Sequence, residues 1–569
     1  MRIITVINGL NPALILICGS LLAPLLPRGI VRNVFMLALP IGGLIQFVGL
    51  PEGQSAEIVL FNLTLVTLRI DPLSFIFAVV FLIAALIAVI YAWHLRDDLQ
   101  QTAGLFYPGA ALGVVLAGDL VTLFICWELA AVSSVFLIWA RRTERAYRAG
   151  LRYLVVQVGS GVLLLAGVIV HLRATGSITF EHLELDSPGA LLIFLAFGIK
   201  AAFPLLHNWL QDAYPEATIT GTVVLSAFTT KMAIYALARG FAGTEILITI
   251  GTVMAMFPIF YAVIENDLRR VLAYSMNNQL GFMVVGIGIG TPLALDGAAA
   301  HAFADILFKA LLFMSMGAVL LRTGTVNGSE LGGLYKSMPL TTGLCMVGAA
   351  SISAFPLFSA FATKSLILAA AADEGHWVAF LFLLFASAGV FHHAGIKIPY
   401  FAFFAHDRGI RCQEAPKNML IAMSIAAALC IGIGVFPQAF YTILPYPVVF
   451  HPYTTSHIIN QLQLLTWSAL AFSVLVRTGI YPPELRLINL DFDWTYRKLL
   501  PTVSIRVWSM LDRAWENLCS AVECGVGGFM DALLRHHGPH GKLAATWPTG
   551  SMVLWAVVLL GACLVFYYV

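Results

Sequence analysis

Long apolar runs separated by short polar punctuation dominate the chain, and their lengths set the first expectation. A helix rises about 1.5 Å per residue, so a hydrocarbon layer about 30 Å thick takes roughly 20 apolar residues to cross. On that rule sixteen spanning helices are expected, near residues 3–26, 31–50, 71–95, 104–118, 120–140, 148–172, 189–212, 219–239, 244–265, 268–289, 295–321, 339–371, 376–403, 418–437, 462–480 and 549–568. The first run, ITVINGLNPALILICGSLLAPLL, is long enough to span and carries no clear cleavage site, so it reads as a helix and not as a removed leader. Two stretches depart from the pattern. IVLFNLTLVTLRID (58–71) is rich in β-branched residues that alternate, which predicts a short hairpin outside the bilayer. SIRVWSMLDRAWENLCSAVECGVGGFMDALLR (504–535) spaces polar and apolar residues at helical intervals, predicting a helix on the cytoplasmic membrane face, interrupted near Gly525, Gly527 and Gly528.

Composition agrees with the pattern: 60% of the 569 residues are hydrophobic and only 11% charged, which excludes a soluble globular chain. Lys and Arg number 32 against 30 Asp and Glu, leaving no basic surface for nucleic acid and no acidic tail. The eight cysteines (18, 126, 345, 412, 430, 519, 524 and 563) show no CxxC and no metal-ligand spacing; they read as small core residues, and no cofactor or metal is expected. Charge placement adds an orientation. Arg28 and Arg32, Arg96, Arg141 to Arg148, Arg269 and Arg270, Arg322 and Lys336, Lys397 to Lys417, and Arg486 to Lys498 fall in alternate loops. Those loops are expected to be cytoplasmic, with both termini outside.

Against this background the stretch FGIKAAFPLLHNWLQDAYPEATITGTVVLSAFTTKMAIYALAR (197–239) is anomalous, because it puts Lys200 and Lys231 deep inside apolar segments. A charge at bilayer depth costs about 2.5–3.5 kcal/mol even on lenient scales, so each lysine should face protein or water and is a transport-site candidate. Pro204 breaks its helix one turn after Lys200. KAAFPLL (200–206) is echoed by SISAFPLF (351–358), with Pro204 and Pro356 152 residues apart. Five expected helices separate the two prolines, and an odd number inverts the second unit, so helices four to eight and nine to thirteen are expected to be inverted repeats. Glu128 lies nine residues after Asp119, too deep to reach a headgroup, and Lys200 is its expected partner. His301, Asp305 and Lys309 are spaced i, i+4, i+8 and share one helix face, a candidate proton wire. Lys364, eight residues past Pro356, is the expected terminal proton site. Lys397 and Lys417 read as loop charges, and the His392–His393 pair either lines the polar axis or packs.

GDLVTLFICWELAAVSS (118–134), FGIKAAFPLLHNWLQDAYPEA (197–217), LSAFTTKMAIYALAR (225–239), HAFADILFKALLF (301–313), LGGLYKSMPLTTG and SAFPLFSAFATKSLI together resemble the proton-translocating antiporter-like family of complex I and the multi-subunit Mrp antiporters, and within it the D-type subunits. The resemblance covers about residues 110–410. It implies proton-translocating roles for Glu128, Lys200, Lys231, His301, Lys309 and Lys364, with Asp305 where many relatives carry a second histidine. It further implies a transporter subunit, not itself an enzyme, in the cell (inner) membrane, working with other membrane subunits on protons and Na+. Redox-driven pumping in a complex I-like or hydrogenase assembly, and inorganic carbon transport, are the alternatives. The expected divisions are 1–103, the repeats 104–242 and 243–405, 406–500 with helices fourteen and fifteen, the amphipathic helix in 501–540, and the last span in 541–569.

Overall fold

The computed structural model describes residues 11–60, 63–485, 489 and 491–569. Expectations for residues 3–10, the hairpin tip Phe61–Asn62 and the loop charge Arg486 fall outside the described residues. The chain is an all-α polytopic membrane protein with one hairpin, Ser55–Leu60 paired antiparallel with Leu63–Arg69. It packs as two compact units, one ending at Asp491 and the other Phe492–Val569.

Among the described residues, 11 helices are long and apolar enough to cross a membrane. The other five expected spans are helices of a different character: short (Pro12–Leu22), interrupted at Pro204 and at Pro356, or more polar (Asp98–Leu116, Leu268–Ile289). Several helices start earlier than their apolar runs. Asp97 accepts hydrogen bonds from the Leu99 and Gln100 amides, which starts a helix at Asp98 instead of 104. Thr143 caps the helix Glu144–Thr175, so five of the eight residues in the Arg141–Arg148 run are helical and not loop. Capping side chains satisfy amide donors that a helix start leaves orphaned, and apolar periodicity does not register them. The helix expected over 462–480 runs Thr455–Arg477, capped by Thr454.

Among the 11 long apolar helices, Ile219–Gly240 and Pro292–Thr323 are the most enclosed, their apolar stretches 94% and 89% buried. The helices that carry Lys231 and the His301, Asp305 and Lys309 set are therefore wrapped by the others.

The two interrupted helices share a local geometry. Ala190–Lys200 ends before Pro204, and Asn208–Ala213 resumes after it; Pro339–Ile352 and Ser359–Asp373 flank Pro356. Ala202 and Leu205 have φ of 61° and 71°, and Ala354 and Leu357 have 56° and 75°, the left-handed region that β-carbons resist. In each break a phenylalanine amide reaches back five residues, Phe203 to the Gly198 carbonyl (3.0 Å) and Phe355 to that of Ala350 (3.1 Å). Two aspartates at helix starts repeat in the same way: Asp119 forms a single bridge with Thr179 and Asp267 with Asn327, each capping the helix that follows.

In the second unit the amphipathic helix runs unbroken over Leu500–His537, 38 residues, and Thr549–Tyr568 follows. The expected interruption at Gly525, Gly527 and Gly528 is absent. An interior glycine costs about 1 kcal/mol relative to alanine but leaves the backbone hydrogen bond in place.

Candidate functional site

Lys200, the last residue of its helix, is wholly buried. Its Nζ donates to the Trp127 carbonyl at 2.8 Å and sits 4.4 Å from the centre of that indole ring. Glu128 is the next residue, and the two charges act on each other without a direct ion-pair contact, so the expected partners meet at longer range. The lysine is held by the carbonyl and the ring, while Glu128 Oε1 is buried without a hydrogen-bond partner against Gly161. A Cβ at Gly161 would collide with that oxygen.

A separate set of hydroxyls lies on the Glu128 helix and its neighbours. Ser134 Oγ lies 2.8 Å from the Tyr153 hydroxyl, which is 3.5 Å from Thr229 Oγ1, and Thr229 Oγ1 is 2.5 Å from the Tyr107 hydroxyl. Two residues on, Lys231 donates to the Ser226 carbonyl at 3.1 Å and meets Asp305 at 2.6 Å, both side chains 0% exposed. This contact is ionic and not an aligned hydrogen bond, and Asp305 Oδ1 has no donor. The helices of the two expected repeats are thus joined by a buried ion pair.

Beyond the junction, Lys309 donates to Ser275 Oγ at 2.6 Å. His301 is fully buried, not interfacial. Its Nε2 is 3.2 Å from Gln279 Oε1 and its Nδ1 3.0 Å from Thr363 Oγ1. Lys364, adjacent to Thr363, donates at 3.0 Å to the carbonyl of Ile352, the last residue of the first half of its broken helix. Asn278 and Gln279 are linked at 2.6 Å, so the hydrophilic patch expected at 277–279 is present and buried. Six of the seven candidates are therefore buried, and Glu128 is half-buried. Thr230 Oγ1 and both amide atoms of Gln157 and Asn277 are buried without hydrogen-bond partners. Such groups cost about 1–3 kcal/mol each when left unpaired, which suits a strip that carries water or exchanging protons.

Sequence reading missed the clamp around the first break. Arg152 grips Asp212 through two bonds of 2.6 and 3.0 Å, Arg145 reaches Glu216 at 2.5 Å, and the buried Arg269 donates to the carbonyls of Tyr214, Ala217 and Thr218. Arg269 and Arg270 open the helix Leu268–Ile289 and are buried, contrary to the loop position expected of them. Lys397 is also no loop charge: it is fully buried in a long helix and paired with Glu484 at 3.0 Å. The signal was present, since GIKIPYF surrounds that lysine with apolar residues.

Residues 117–390 match the family model described as NADH:quinone oxidoreductase/Mrp antiporter, TM. Hydrogenase-4 component B of Escherichia coli is 27% identical over 65% of this chain and 62% of its own length, so the chain spans less than two thirds of that relative. The D-type subunit of the Na(+)/H(+) antiporter of Alkalihalophilus pseudofirmus is 32% identical over 58% of this chain and 72% of its own length. A chain in the structure of the Mrp complex from Dietzia sp. DQ12-45-1b has the same fold, with a TM-score of 0.76 at 23% identity, covering 91% of this chain and 62% of that one.

Proposed function

The chain belongs to the family of membrane subunits shared by NADH:quinone oxidoreductase and Mrp antiporters, and on that premise we propose that it is the proton-translocating subunit of a cation/proton antiporter. The observation that carries this reading is the buried Lys231–Asp305 pair, which joins a lysine, hydroxyl and carboxylate set around Glu128 and Lys200 to the His301, Lys309 and Lys364 set. Protons pass along this strip between two units of five helices, residues 104–242 and 243–405, related as inverted repeats. The matched positive-φ residues at Ala202 and Leu205, and at Ala354 and Leu357, support that relation. Na+ is the exchanged ion in this reading, the termini face outward, and the membrane is the cell's inner one. The chain itself carries no reaction chemistry beyond proton transfer.

A second reading draws on the similarity to hydrogenase-4 component B: the same strip is driven by electron transfer in partner subunits. One preparation separates the two. Purified native complex containing small antiporter-type subunits supports exchange, whereas iron–sulfur or hydrogenase-type subunits support redox drive. In inverted vesicles, Lys200→Ala and Glu128→Ala are expected to abolish proton movement with the complex assembled. Wild-type rates in either variant overturn the roles given to them.

A further inference from the structure

The helix Thr455–Arg477 lies outside residues 104–405 and is the least enclosed of the long apolar helices described in the unit ending at Asp491, with 17% of its apolar stretch buried. Only three of its 23 residues are buried, Gln461, Leu465 and Phe472, and the first of them is polar. Gln461 Nε2 donates to the Ser353 carbonyl at 3.3 Å. The carbonyl one residue earlier, that of Ile352, is the one that holds Lys364 Nζ at 3.0 Å. Just before the helix, the Tyr453 hydroxyl accepts the Leu357 amide at 3.1 Å and donates to the Gly434 carbonyl. Its ring lies 5.1 Å, centre to centre, from that of Phe361, three residues before Lys364. His457 stacks on the same phenylalanine, 4.6 Å between centres and 18° between planes.

An interrupted helix leaves carbonyls and amides without their usual partners one turn away, and inside a membrane protein these must be met by other groups. A plain capping role accounts for the bonds of Gln461 and Tyr453. It does not account for their place, since the carbonyl that Gln461 fills is the immediate neighbour of the one that Lys364 uses. An ammonium carries three donors and takes whatever acceptors lie within reach. A free Ser353 carbonyl would compete with that of Ile352 for the lysine.

We infer that Gln461 and Tyr453 are positioning residues for Lys364: by filling the backbone groups that the break at Pro356 sets free, they leave the lysine a single carbonyl, fixed in place, against which its proton is exchanged. The inference rests on the reading of Lys364 as a proton site. Neither side chain takes up or gives off the transported proton; each acts through the backbone beside the lysine. The first break is also met from beyond residue 405, where Asp491 Oδ2 lies 2.8 Å from His207 Nε2. Both broken helices therefore touch the part of the chain that follows the two five-helix units.

The test uses inverted vesicles carrying the whole complex, energised by whichever gradient or electron donor drives the wild type. A pH-sensitive dye reads the rate per assembled complex across a range of pH. Gln461→Met keeps the length and removes the donor; Tyr453→Phe keeps the ring beside Phe361 and removes the hydroxyl. Both are expected to slow proton movement at least about tenfold, the scale on which small misplacements act. Both are also expected to shift the pH of half-maximal rate by at least about half a unit, because the groups around the lysine change. Gln463→Met, the same change at an exposed position of the same helix, is expected to leave rate and profile as in the wild type. A cap with no further role lowers the amount of assembled complex and leaves the profile where it was. An unmoved profile in either assembled variant, or an equal effect from Gln463→Met, therefore overturns the inference, and Tyr453→Phe decides if Gln461→Met fails to assemble. Lys364→Met, measured alongside, separates the two readings. If it is inactive while the positioning variants match the wild type, the positioning role alone falls; if it too runs normally, the proton site and its positioning fall together.

Discussion

Lys231 and Asp305 meet where neither side chain touches solvent, so each depends on the other for its charge. Removing one partner of such a pair strands a buried ion and costs about 3–5 kcal/mol, whereas replacing both with apolar residues of similar size is often neutral. Asp305→Asn is therefore expected to lower the thermal unfolding temperature of the purified complex more than Lys231→Met with Asp305→Leu does. Gly161 offers a milder perturbation. A methyl there would collide with Glu128 Oε1, the end of a flexible side chain that can swing away. Gly161→Ala is expected to assemble normally and to slow proton movement as the carboxylate is displaced; unchanged rates would show that the position of Glu128 is not critical. The i, i+4, i+8 pattern of His301, Asp305 and Lys309 was legible because a helix face is fixed by spacing alone. The lack of a Glu128–Lys200 ion pair was not legible, because it depends on which groups of a neighbouring helix the lysine meets first, here the Trp127 carbonyl and ring.

The broken helices carry their strain in alanine and leucine, not glycine. A non-glycine residue in the left-handed region costs about 1–2 kcal/mol. Ala202→Gly and Ala354→Gly are thus expected to raise stability by up to about 1 kcal/mol each, after the entropy that glycine loses on folding is counted. Thermal unfolding of the complex reads this; a loss of stability would mean that the alanine methyls pack in a way that outweighs the strain. Prolines announced both breaks in the sequence, but the paired positive-φ residues around them could be seen only in the fold. The extramembrane turns behave differently. Asp407, exposed and bonded first by Arg411 and then by Lys336, has its carboxyl held well below the usual carboxylate range. Its contribution is present above the ordinary carboxylate value and is lost only as pH falls through the depressed one. Amide protection around residues 405–411, corrected for intrinsic exchange, is expected to persist to pH values at which an ordinary aspartate has already been neutralised.

For the whole molecule, long apolar runs made the helical membrane fold legible, while the ends of helices were not, because caps such as Asp97 and Thr143 extend them into polar sequence. Arg269 and Lys397 were misplaced for one shared reason. A cation near the end of an apolar run reads as a loop charge, yet carbonyls at neighbouring helix ends can hold it inside the bundle. What unites the fold with its proposed task is that the two most enclosed of the long apolar helices are the ones joined by Lys231 and Asp305. The most direct measurement is proton movement in inverted vesicles carrying the complex with Lys231→Met and Asp305→Leu, a pair of changes chosen to spare the fold. Loss of translocation with wild-type assembly is expected; translocation at the wild-type rate would contradict a proton route through this junction.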